Sequence, residues 1–120
     1  MKRILILDNE FLNKCWRDVC EDWALEEQRK LKVSASALDY SNRKIPEDYD
    51  LYLIHTSHVS EKSLRELREC RPSCMIVGNG SGGTWEAGGK DFGDLFNYFY
   101  SMRGMKEENV ESALEELFEK

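Results

Sequence analysis

Arg3-Ile4-Leu5-Ile6-Leu7-Asp8-Asn9-Glu10 is the stretch on which the fold turns. Ile4 to Leu7 are aliphatic without a break, so a strand here has no polar face and must be covered on both sides, as in a parallel sheet. Asp8-Asn9 ends the run with residues that favour turns and helix caps. From Phe11 the apolar spacing lengthens: Leu12, Cys15, Trp16, Val19, Cys20 and Trp23 recur at three- and four-residue steps and form one helical stripe. A buried strand passing at once into an amphipathic helix predicts the first half of a βα unit.

The alternation continues outward. Leu31 to Ser36 is a second strand candidate, and Asp50-Leu51-Tyr52-Leu53-Ile54-His55 a third, again apolar until its polar end. Between them, Ser41, Asn42 and Pro46 interrupt Leu38 to Pro46, so any helix there is short or absent. Ser60 caps a helix with Leu64, Leu67 and Cys70 as its inner stripe, closed by Arg71-Pro72. Cys74 to Val77 is the fourth strand and runs into Gly78-Asn79-Gly80-Ser81-Gly82-Gly83. Thr84 to Asp94 is irregular, and glycines at about 1 kcal/mol each against Ala erode any helix there. Asn97 to Met102 has the aromatic content of a fifth strand, although Leu95, Phe96, Phe99 and Met102 also fit a helix face. Lys106 to Phe118 is an amphipathic helix with Val110, Ala113, Leu114, Leu117 and Phe118 inward. The expected class is α/β, a single doubly wound five-stranded parallel sheet over one domain, residues 1–120.

Composition narrows the function classes. The 120 residues carry 17 Lys and Arg against 23 Asp and Glu, a net charge of −6, which argues against a nucleic-acid footprint. No apolar run approaches membrane-spanning length, and the opening run is too short for a secretory core, so the expectation is a cytoplasmic protein with no membrane partner. Cys15, Cys20, Cys70 and Cys74 show no Cys-x-x-Cys spacing and are expected as reduced core or near-core thiols.

In open parallel sheets chemistry collects beyond the carboxyl ends of the strands. The residues to watch are therefore Asp8, Asn9 and Glu10; His55, Thr56, Ser57 and His58; Asn79 and Ser81; and Met102 and Arg103.

Arg3 to Glu10, Tyr49 to His55 with Leu64-Arg65-Glu66-Leu67-Arg68 following, and Lys106-Glu107-Glu108-Asn109-Val110-Glu111 together resemble the receiver domain of bacterial response regulators. The resemblance spans nearly the whole chain and implies a flavodoxin-like, CheY-like sheet of order 2-1-3-4-5, here with the second and fourth helices shortened or lost. It also implies a site of five groups: an acidic pair holding Mg²⁺, an acceptor aspartate on strand three, a hydroxyl after strand four and a lysine after strand five. Mapped onto this chain, Asp8 keeps the first carboxylate. Asn9 replaces the second, His55 the acceptor, Asn79 the hydroxyl and Met102 the lysine. A fifth strand placed near Lys90 would restore the amine and still leave the aspartate missing. Without a carboxylate at position 55 no acyl phosphate forms there, and the cation cradle loses charge.

The leading expectation is a non-catalytic pseudo-receiver, a signalling or scaffold domain of the two-component kind that binds a signalling protein or a second copy of itself, without cofactor or metal. Its partner surface is expected around Trp85, Phe92, Phe96, Tyr98 and Tyr100, although each of these aromatics can instead fold back over the missing helix. The alternative is a metal- or small-ligand-binding sensor using Asp8, Glu10, His55, His58 and the glycine loop, whose amides could form an anion nest. Against a metal at His55 stands a simpler role, a hydrogen bond to Asp8. A small enzyme on this scaffold is the weakest option, because no nucleophile–base pair is evident.

Overall fold

The computed structural model describes residues 1–80, 95–100 and 104–119. In chain order the elements are β1 (Lys2–Leu7), α1 (Glu10–Glu26), β2 (Leu31–Ser36), β3 (Leu51–His55), a single 3-10 turn (Thr56–His58), α2 (Glu61–Cys70), β4 (Met75–Asn79), β5 (Tyr98–Tyr100) and α3 (Glu107–Glu119). All strands pair in parallel in the order β2-β1-β3-β4-β5.

The period-two alternation of the strands divides the core in two. Ile4, Ile6, Leu51, Leu53, Met75 and Val77 face α1 and α3, which bury Cys20, Trp23, Ala24, Val110, Ala113, Leu114 and Leu117 against them. Leu5, Leu7, Tyr52, Ile54 and Ile76 face the other way, onto Leu64 and Leu67 of α2. Both faces of β1 and β3 are thereby dry, as their unbroken apolar runs require.

Among the described residues no helix joins β2 to β3. Tyr40 and Ile45 do its apolar work: they are 9% and 1% exposed and belong to the α2-side core. Each burial of this size contributes roughly 1.5–3 kcal/mol. The Tyr52 hydroxyl donates to the Pro46 carbonyl and the Tyr40 amide to the His58 carbonyl, so the segment is fastened at both ends. The fourth helix of the expected scheme falls on residues 81–94, outside the described residues.

Several expectations are corrected. Cys70 is exposed rather than on the inner stripe, because α2 ends there and the thiol turns to the Glu47 carboxylate. Cys20 and Cys74 are buried and Cys15 half-buried, and all four thiols are free. Burial pushes the Cys20 thiol up to about 12, which leaves it inert. Residues 97–102 yield a strand of three residues, Tyr98–Tyr100, with 101–103 outside the described residues. Phe118 packs inward as expected, half-buried and tilted against Trp23 at a ring separation of 5.6 Å.

The short fifth strand is held by side chains as well as ladder bonds. Asn97 Oδ1 accepts from the Ile76 amide at 2.8 Å and from Arg68 Nη2 at 2.9 Å, while Arg68 also donates to the carbonyls of Cys74 and Leu95. Asn97→Leu orphans the Ile76 amide and is expected to cost about 1–3 kcal/mol. Asn97→Asp keeps the acceptor and places it against a cation, so its urea midpoint should stay near that of the parent protein, with that of Asn97→Leu well below both.

Candidate functional site

The Leu7–Ile54 and His55–Asn79–Tyr100 pairings put Asp8, His55 and Asn79 on one rung at the carboxyl edge of the sheet. Asp8 follows β1 directly and is 2% exposed. Its Oδ1 accepts from the Asn9 amide at 2.8 Å, whereas Oδ2 is buried with no hydrogen-bond partner among the described residues.

Asn9 caps α1. Its side-chain oxygen accepts from the Leu12 amide at 2.8 Å, so the atom in the place of the second carboxylate is already spent on the helix. Glu10, the first residue of α1, is exposed.

His55 does not bond to Asp8, which corrects the simpler expectation for it. Its Nδ1 lies 2.7 Å from Ser57 Oγ and accepts from the Ser57 amide at 3.2 Å, capping the 3-10 turn. A ring that accepts at Nδ1 carries its neutral-state proton on Nε2. The reason for the choice is local: the turn leaves an amide unpaired two residues on, within reach of Nδ1. His58, three residues on, uses its own Nδ1 on the Leu38 carbonyl at 3.1 Å, and the two imidazoles stand edge-on at 6.3 Å.

Asn79 ends β4, 7% exposed, with Nδ2 at 3.5 Å from the Ile54 carbonyl. One residue further, Gly80 leaves no room for a Cβ because Thr56 Oγ1 fills that space. Met102 lies outside the described residues, as do Ser81 and Arg103.

Of the aromatics expected at a partner surface, Trp85 and Phe92 also lie outside the described residues. Phe96 is 8% exposed and packed over Gly78 and against Phe99, so it fills the core instead of a surface. Tyr100 is half-buried against the α1 side. Tyr98 is 42% exposed and donates to Glu116 Oε2 at 2.6 Å, a bond that raises its phenol above the ordinary range.

Sequence reasoning missed Asn13. It is 7% exposed, and its Nδ2 donates to the Asp8 carbonyl at 2.9 Å, fixing the turn that presents the aspartate.

The chain has the receiver-domain fold. It superposes on a response regulator receiver domain from Clostridium thermocellum with a TM-score of 0.72 at 11% identity, covering 99% of this chain and 95% of that one. A CheY-like receiver domain from Methanospirillum hungatei gives 0.61 at 18% identity, over 99% and 95%. A pilus assembly protein, CpaE, from Burkholderia thailandensis gives 0.71 at 9% identity over the whole of both chains. No protein-family model and no curated relative matches the sequence.

Receivers hold Mg²⁺ beside the acceptor, so the fit of that ion here is a structural question. Mg²⁺ needs an octahedral set of hard oxygens. Asp8 Oδ2 is one such oxygen, but the Asn9 oxygen caps a helix, His55 offers nitrogen, and among the described residues no three of His, Cys, Asp and Glu gather to hold a metal. The described residues do not fit it. Asp8 is then a buried carboxylate with one oxygen uncompensated among the described residues, an expensive group to keep. Asp8→Asn retains the acceptor for the Asn9 amide and removes the charge, and should stabilise the fold by about 1 kcal/mol in urea titrations run in EDTA; destabilisation of that size would mean that the charge has a partner.

Proposed function

We propose that this chain is a pseudo-receiver, a domain that signals or scaffolds through protein contact without aspartyl phosphorylation. The observation that carries the reading is His55: it stands at the end of β3, where the resemblance places the phosphoacceptor, and its ring nitrogen is engaged with Ser57. An imidazole there cannot form the acyl phosphate, and Asn79 offers an amide where a hydroxyl would contact the phosphoryl oxygens. On this reading the conformational signal of a receiver is replaced by a fixed surface. Tyr98 and its Glu116 partner, on β5 and α3, are the described part of that surface, with Trp85 and Phe92 as its proposed continuation.

The ligand-sensor alternative has less support. Glu10 is exposed, His55 accepts at Nδ1 and so carries its neutral-state proton on Nε2, and no metal-binding trio forms among the described residues. No helix among the described residues is long and apolar enough to cross a membrane.

Acetyl phosphate with Mg²⁺, or beryllofluoride with Mg²⁺, should leave the amide NMR spectrum unchanged around residues 8, 55 and 79. Saturable shifts confined to those positions would contradict the proposal.

A further inference from the structure

We propose that the cavity between the β2–β3 segment and the first turns of α2 binds a phosphate monoester or inorganic phosphate as a dianion. Ser41, Arg43 and Lys44 from the segment and Lys62, Ser63 and Glu66 from α2 line about 140 Å³. Three cations and one carboxylate line it, a charge of +2 that the Glu47 partner of Lys44 lowers to +1, on a chain whose net charge is −6. Gathering like charges costs repulsion that a bound dianion relieves. Arg43 and Lys62 have no ion-pair partner among the described residues. Lys44 is the one of the three with a partner, Glu47 Oε2 at 3.4 Å.

The cavity is built rather than incidental. Tyr40 and Ile45, on either side of the cationic residues, are anchored in the core. The Ser60 hydroxyl donates to the Ser41 carbonyl at 2.8 Å, and the Tyr40 amide donates to the His58 carbonyl at 2.7 Å. Ser63 is 3% exposed with its hydroxyl spent on Ser60, so it shapes the wall and leaves binding to the cations. The positive end of the α2 dipole adds potential of the same sign. Arg43 brings a planar fork suited to phosphate oxygens, and the lysines bring point charges. The volume suits the oxyanion, so a nucleoside or peptide attached to it lies outside. None of these residues belongs to the Asp8–His55–Asn79 rung, and the inference stands or falls independently of the pseudo-receiver reading.

The test is an amide NMR titration of the intact chain with inorganic phosphate, O-phosphoserine and AMP, each against sodium chloride at matched ionic strength. The amides of Arg43, Lys62 and Ser63 should shift saturably with at least one phosphate probe and not with chloride. Tighter binding of O-phosphoserine or AMP identifies an esterified phosphate as the ligand, and binding no tighter than that of inorganic phosphate identifies the free anion. Arg43→Gln with Lys62→Gln should weaken binding at least tenfold while the melting temperature holds, because both side chains are exposed. Shifts reproduced by chloride, no saturation with any probe, or saturation that survives the double substitution would each overturn the proposal.

Discussion

Burial of β1 and β3 on both faces is the constraint from which the rest of the molecule follows. Ile4 to Leu7 and Leu51 to Ile54 are no more than 3% exposed, and the polar side-chain group in these two runs, the Tyr52 hydroxyl, is bonded to the Pro46 carbonyl. Polar residues are driven to the strand ends. At the amino edge they form a web in which Asp50 accepts from the Arg3 amide, Arg3 pairs with Asp48 at 2.7 Å, and Arg71 donates to the Glu47 carbonyl. At the carboxyl edge they form the Asp8–His55–Asn79 rung. Two ion pairs run through the amino-edge web, Arg3 with Asp48 and Arg71 with Asp50 at 3.7 Å. Among the described residues the carboxyl edge keeps an Asp8 oxygen with no hydrogen-bond partner, at the strand ends where open parallel sheets place their chemistry.

The loss of a helix between β2 and β3 reshapes the α2 side. A helix there would have supplied a continuous apolar stripe, whereas Tyr40 and Ile45 supply two anchors and leave the chain between them free to carry Ser41 to Lys44 over α2. The bonds from this segment end on His58 and Ser60, just beyond His55 in sequence. The replacement is therefore both a core plug and a frame for a basic surface, and it ties that surface to the turn that follows β3.

The strands were legible because their apolar runs and polar ends leave little freedom: Leu31–Ser36 and the inner faces of β1, β3 and α3 stand where the spacing put them. The missing helix was legible too, through Ser41, Asn42 and Pro46. What could not be seen were contacts that depend on neighbours distant in sequence. Tyr40 and Ile45 look like ordinary loop residues until the sheet is built beneath them. Phe96 looks like a surface aromatic until Gly78 opens the hollow it fills. The edge residues were legible by position, but their bonds were not. The pull of the Ser57 amide on His55 outweighs an aspartate on the next strand, because a turn donor two residues away is already oriented whereas a cross-strand partner must be reached.

At the carboxyl edge the described residues lack the set of oxygen ligands that a receiver's cation needs. Isothermal titration of the chain with Mg²⁺, beside a variant carrying both Asn9→Asp and His55→Asp, tests it most directly. Saturable heat for the variant alone is the predicted result. Equal Mg²⁺ affinity in the unaltered chain would contradict the account.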